Sequence, residues 1–240
     1  MAENNKTSAL TVFVHVPKTA GSTVNAYLKR SGTLGATHIE AWVDDDVIAV
    51  EKLKSFDWVS GHVPFPHMRA RLSANTSRPL RFFTLVRDPI KQLMSHYNWL
   101  IEIYHRGAAF YDGHPPRIKE ISEAIRSANN DDPLDIIRQI TAAPGLFLNQ
   151  QSRLVFGEIP RTFGEQEFRE RLEIYNMIAT EKMLPDFIEK ISGVPYEDER
   201  RENVSPYHFD KTIFESSVMK EFVKKHHAAD LALYRYLSNS

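Results

Sequence analysis

The segment HVPKTAGST, His15 to Thr23, sets one lysine, one glycine and three hydroxyl residues between an apolar run and a helical pattern. Backbone amides at a helix N-terminus point outward unpaired and carry partial positive charge, which suits a phosphate. Gly21 would let the backbone approach an anion closely, and Lys18 supplies a mobile point charge. The order is not that of a Walker A loop, GxxxxGK[ST], because the lysine precedes the glycine. A simple turn uses the same residue types, so an anion cradle and an ordinary loop both stand on composition alone.

A second segment, RFFTLVRDPIKQLMSHYNW, runs from Arg81 to Trp99. Arg87 falls at the C-terminal end of an expected strand, where ligands of open α/β sheets bind. An arginine fork there and the hydroxyl of Ser95 can converge on one phosphate. The other reading pairs Arg87 with Asp88 or a nearby acid and leaves Ser95 merely small. His62 follows Gly61 at a further strand end, and an imidazole of pKa near 6.5 suits proton abstraction at neutral pH. A histidine beside valine and proline also serves as a packed, hydrogen-bonded residue. The ten histidines lack H-E-x-x-H or similar spacing, so no metal site is expected. The adjacent His226 and His227 are expected on the surface of a helix. With no cysteine, disulfides, thiolate nucleophiles and cysteine zinc sites are excluded.

Together the two segments resemble the paired motifs with which sulfotransferases bind 3′-phosphoadenosine 5′-phosphosulfate (PAPS). The likeness is to the carbohydrate branch that includes the heparan sulfate 2-O-sulfotransferases and related bacterial proteins. Further blocks are similar: SGHVPF (Ser60 to Phe65), NQQSRLVFG (Asn149 to Gly157), IATEKM (Ile178 to Met183), RENVSP (Arg201 to Pro206) and the closing DLALYRYL. The resemblance implies that Lys18, Thr19, Ala20, Gly21, Ser22 and Thr23 hold the 5′-phosphosulfate and that Arg87 and Ser95 hold the 3′-phosphate. It makes His62 the general base, and Glu40 the rival, its carboxyl pKa to be raised by burial near Trp42. Arg153 would contact donor or acceptor, or else form a surface ion pair. Gln92 stands where family members often carry a second arginine. The implied chemistry moves a sulfuryl group to a hydroxyl on a carbohydrate or glycolipid, needs no metal, and releases the 3′,5′-bisphosphate (PAP). Tyr111, His114, Arg106 and Arg117 are candidates to shape the acceptor cleft. The animal enzymes carry a membrane anchor and this sequence shows none, so their acceptor is not carried over. A small-molecule kinase on a similar fold is the alternative, weakened by the missing GK[ST] and the lack of an evident magnesium-binding acid. A non-catalytic PAP-binding module is the other.

These residues need a scaffold. Leu10 to Val16, Asp57 to Ser60, Leu80 to Val86 and Met177 to Thr180 read as strands. Asp88-Pro89 starts a helix, with aspartate as cap and proline at the first position. Ile90, Leu93, Met94, Tyr97, Ile101 and Tyr104 continue it at helical spacing. Further helices are expected over 117–128, 133–141, 166–175 and 217–237, and a loop over 107–116. Strands separated by helices predict an α/β fold, a P-loop-like parallel sheet flanked by helices. The helix-dense stretch from Gly107 to Phe156 is expected to form a cap or insertion. The 240 residues, 42% hydrophobic and 25% charged, suit one domain over 1–240. A net charge of −1 gives no global field to gather a polyanion, so nucleic acid is not an expected partner and any anion site must be local. No run is long enough to span a bilayer, and a cytoplasmic location is expected.

Overall fold

A computed structural model describes residues 8–161, 164–197 and 206–239. Its strands are β1 (Leu10–Val14), β2 (Gly35–Ala36), β3 (Trp58–Gly61), β4 (Leu80–Val86) and β5 (Met177–Thr180). They form one sheet in the order β2-β3-β1-β4-β5, parallel at every pairing. Its α-helices are α1 (Gly21–Arg30), α2 (Asp46–Leu53), α3 (Phe65–Asn75), α4 (Pro89–His105), α5 (Ala108–Asp112), α6 (Pro116–Ser127) and α7 (Pro133–Ala142). They continue with α8 (Pro144–Phe147), α9 (Gln150–Phe156), α10 (Glu165–Leu172), α11 (Leu184–Ser192), α12 (Ser217–His226) and α13 (Ala228–Asn239). The expected α/β architecture, a parallel sheet flanked by helices, is what the chain adopts. Among the described residues, no helix is long and apolar enough to cross a membrane.

The chain packs as two compact units. The first takes its described residues from Met1–Arg87, Gln151–Asn203 and Ala232–Ser240 and contains the sheet. Successive strand residues point to opposite faces, and both faces of this sheet are covered. Leu10, Val12 and Val14 of β1, Val59 of β3 and Phe82 and Val86 of β4 join a core with α2, α3, α9 and α10. Phe13, Trp58, Phe83 and Leu85 point the other way, against Val24, Tyr27 and Leu28 of α1 and Phe187, Ile188 and Ile191 of α11.

Arg78 stitches the start of this unit together. Its guanidinium donates to the carbonyls of Ser8 (2.8 Å), Leu53 (3.1 Å), Phe56 (2.6 Å) and Ala9 (3.4 Å). Truncation would strand several carbonyls in a nearly closed site. Arg78→Ala is therefore expected to cost about 3 kcal/mol of stability, measurable as a lower midpoint in urea. An unchanged midpoint would mean that water replaces the guanidinium without cost.

The second unit, Asp88–Gln150 with Val204–Leu231, is helical. It begins earlier than the expected insertion and leaves out most of α9. The reason is that Leu93, Tyr97, Leu100 and Ile101 of α4 share a core with Ile136 and Ile140 of α7 and Phe222 and Val223 of α12, while Leu154 and Val155 of α9 belong to the sheet's core. The Asp88 cap forms as expected, its side chain accepting from the Lys91 N–H. The expected loop over 107–116 holds the short helix α5, whose Phe110 and Tyr111 rings pack on Arg106 and Tyr104.

The single helix expected over 217–237 is instead two, α12 and α13. Asn149 enters the break: its amide donates to the His226 carbonyl (2.8 Å), and its oxygen accepts from the Ala229 and Asp230 N–H groups. One side chain thus closes the end of α12 and caps the start of α13. His227, at the break, is fully buried rather than at the surface.

Candidate functional site

Parallel register collects the expected residues of the first unit at one edge. Val14 of β1 lies beside both Gly61 of β3 and Thr84 of β4. The C-terminal ends of these three neighbouring strands therefore open side by side into the His15–Ala20 loop, His62 and Arg87. Strand order reverses direction around β1, and such a switch point is where open α/β sheets bind ligands.

The loop is tightly built. Lys18 and Ala20 both hold left-handed backbone, with φ of 66° and 71°, a conformation that costs non-glycine residues energy and concentrates at functional sites. Turns of this kind orient successive N–H groups into anion-binding concavities. Helix α1 then begins with Ala20 at its N-cap position and no side-chain cap among the described residues. Ser22 is exposed there, while Thr23 is buried. Thr19 is buried and spends its hydroxyl on the Val16 carbonyl, 2.8 Å away. Arg87 supports the loop from the neighbouring strand, donating to the Lys18 carbonyl at 3.1 Å. Gln151 clamps Arg87 in turn, accepting from its N–H at 2.7 Å and donating to its carbonyl at 2.9 Å.

Gly21 is also needed here for packing. A Cβ at this position would fall 2.0 Å from Nε2 of His15. Gly21 thus leaves room for the buried His15 ring, which stacks on Phe13 at 5.4 Å and lies 4.3 Å from the His62 ring.

His62 is oriented from two sides. Its Nδ1 lies 2.7 Å from the His15 carbonyl. A carbonyl only accepts, so Nδ1 carries the proton and Nε2 presents its lone pair. Its backbone N–H donates to Oε2 of Glu40 at 3.1 Å, and the other carboxylate oxygen, Oε1, lies 3.0 Å from Nδ1 of His38. Gly61 permits this approach, since a Cβ there would sit 2.6 Å from Glu40 Oε2.

The electrostatics follow from this packing. Burial lowers the His62 pKa, outweighing the His15 carbonyl and the Glu40 charge that raise it; His38 lowers it further. His15 is pushed well below the ordinary value, chiefly by burial and then by His62, His38 and Lys18. Both rings are therefore neutral at pH 7. Burial works to raise the Glu40 carboxyl, but hydrogen bonds from its own N–H and from His38, with His62 nearby, hold it below the usual carboxylate value. The expected upward shift near Trp42 is thus corrected: hydrogen bonding wins over burial. Glu40 is an ionised, doubly engaged carboxylate and a weak base.

Ser95 lies half-buried on the second turn of α4, in the second unit. Gln92 is buried on the same helix and donates to Gln150 at 2.7 Å. Arg153 makes no salt bridge with any described residue, and it lines an open cleft of about 450 Å³ with Pro64, Gly157, Glu158 and Ile159. The suggested cleft residues of the second unit have internal partners: Arg106 pairs with Glu102, Arg117 with Glu120, and Tyr111 donates to the Lys119 carbonyl. Of the RENVSP block, 201–205 lie outside the described residues.

Sequence reasoning missed His15, His38 and Gln151. His15 and Gln151 stood inside segments already singled out. His38 offered one signal, its H-x-E spacing to Glu40, too common to carry weight until β3 brings His62 beside it. The ligand atoms of His38, Glu40 and His62 lie within 4.8 Å of one another, a grouping that linear histidine spacing did not reveal. No protein-family model matches the chain, and no curated protein matches it.

Proposed function

We propose that this chain is a PAPS-dependent sulfotransferase acting on a hydroxyl of a carbohydrate. One observation carries the reading: His62, its Nε2 lone pair left over by the Nδ1–His15 hydrogen bond, packs on His15, where the Lys18 loop begins, and that loop leads into α1, whose N-terminus has no side-chain cap among the described residues. A base for an acceptor hydroxyl and a cradle for an anionic leaving group then share one strand edge.

In this mechanism the acceptor oxygen attacks sulfur as its proton passes to His62 Nε2. The bond between sulfur and the 5′-phosphate oxygen breaks, and PAP departs. Lys18 and the N–H groups of the loop stabilise the charge that develops on that oxygen. Thr19 and Thr23 support the loop from within, and Ser22 offers its exposed hydroxyl to the donor. Glu40 holds the His62 backbone and orients rather than abstracts. Arg153, near Pro64 and in no ion pair among the described residues, suits a carboxylate on an acidic sugar. Ser95 enters from the resemblance alone.

The donor assignment is tested by calorimetry with PAP and AMP. The wild type should prefer PAP, and Arg87→Ala should erase about 1.5–3 kcal/mol of that preference. Because Arg87 also supports the Lys18 carbonyl, an equal loss for both nucleotides would make it a loop support only. Equal wild-type affinity for PAP and AMP would overturn the donor. Labelled PAPS offered with polysaccharides, glycolipids and simple alcohols then identifies the acceptor, and PAP binding without transfer to any of them would indicate a binding module.

A further inference from the structure

We infer that His38, Glu40 and His62 form a binding site for a divalent transition-metal ion of the zinc class, and that this ion closes the site by occupying His62. Two imidazoles and a carboxylate are a ligand set that such ions take, with a further position left for water. Their ligand atoms lie within 4.8 Å of one another. An ion about 2.1 Å from each ligand needs them somewhat closer, and the His38 side chain, 68% exposed, has room to swing inward.

Three features prepare the set. The His62 Nδ1–H is held by the His15 carbonyl, the outer-shell contact that commonly fixes a metal-ligating histidine and leaves Nε2 to bind. Glu40 is held against the His62 N–H, so its carboxylate is already directed into the group. His38 adopts left-handed backbone, φ 57°, a strained state for a non-glycine residue, and from it the ring meets Glu40 and lies 5.7 Å from the His62 ring. Binding through Nδ1 would replace the His38–Glu40 hydrogen bond with two metal bonds, the neutral His38 imidazole then carrying its proton on Nε2.

The consequence for activity rests on the sulfuryl-transfer reading, since an ion on Nε2 removes the lone pair that the acceptor hydroxyl requires. The binding itself does not. Zn²⁺ is titrated into the full chain against a chromophoric chelator, with Co²⁺ as a spectroscopic probe. One site per chain is expected, with visible Co²⁺ bands of low coordination number. His38→Gly should weaken Zn²⁺ by at least about tenfold, and glycine adopts the left-handed backbone freely, so the fold is not at risk. Glu40→Gln should weaken it as well, while His67→Ala, at an exposed histidine paired with Asp44, should leave it unchanged. Zn²⁺ affinity unaffected by both His38→Gly and Glu40→Gln would overturn the site. Transfer that proceeds undiminished in saturating Zn²⁺ would overturn the closure. Tight, His38-dependent binding in a protein that transfers to no acceptor would uphold the site and remove the functional reading instead.

Discussion

His62→Ala is expected to lower turnover by roughly 10²–10⁴ while sparing PAP affinity, because a base bonded to the acceptor hydroxyl acts only in the chemical step. Glu40→Gln should retain most activity, since the carboxylate is spent on the His62 N–H and on His38. The pH profile supplies a second check. The working form of His62 is neutral, and burial lowers its pKa. Turnover should therefore be level at neutral pH and fall only as pH drops below the ordinary histidine value of about 6.5. The same sign governs stability. A group whose native pKa is lowered resists protonation more than the unfolded chain does. The contribution of His15 and His62 is then complete above about 6.5 and lost as pH falls through their lowered native values. Melts at each pH separate this loss from the catalytic one. A dead but folded Glu40→Gln beside an active His62→Ala would reverse the two roles.

Lys18→Ala is expected to lower kcat on the order of a hundredfold or more, with a smaller fall in donor affinity. A cation that meets the bridging oxygen as its bond to sulfur breaks stabilises the transition state more than the bound donor. The left-handed backbone at Lys18 offers a control: Lys18→Gly relaxes the strain yet also removes the charge, so both variants should fall alike if charge is what matters. Weak binding with normal turnover at saturating PAPS would leave Lys18 a positioning role only.

Much of the fold is legible because its signals are local. Strand β4 and the start of α4 follow from an apolar β-branched run and an Asp-Pro cap, each read within a few residues. Strand β5 is legible for the same reason. The split at His227 is not, because its cause is Asn149, far away in the chain, whose amide caps both helix ends. Nor are the bounds of the second unit, which depend on which core α4 and α9 enter.

The candidate site divides along the same line. The sequence by itself determined which side chains stand at strand ends: Lys18 and its loop, His62 and Arg87, since apolar runs and their terminators are written in order. Tertiary structure alone decided what those side chains can do. Parallel register of β1 with β3 aligned the His15 carbonyl with His62 Nδ1 and so chose its tautomer. Glycine at 61 let Glu40 close on the His62 N–H, turning a rival base into an orienting anion. Glycine at 21 made room for a buried imidazole. Hydrogen bonds and desolvation act over a few ångströms of space rather than along the chain, so a residue's protonation and role are settled only when the strands pair.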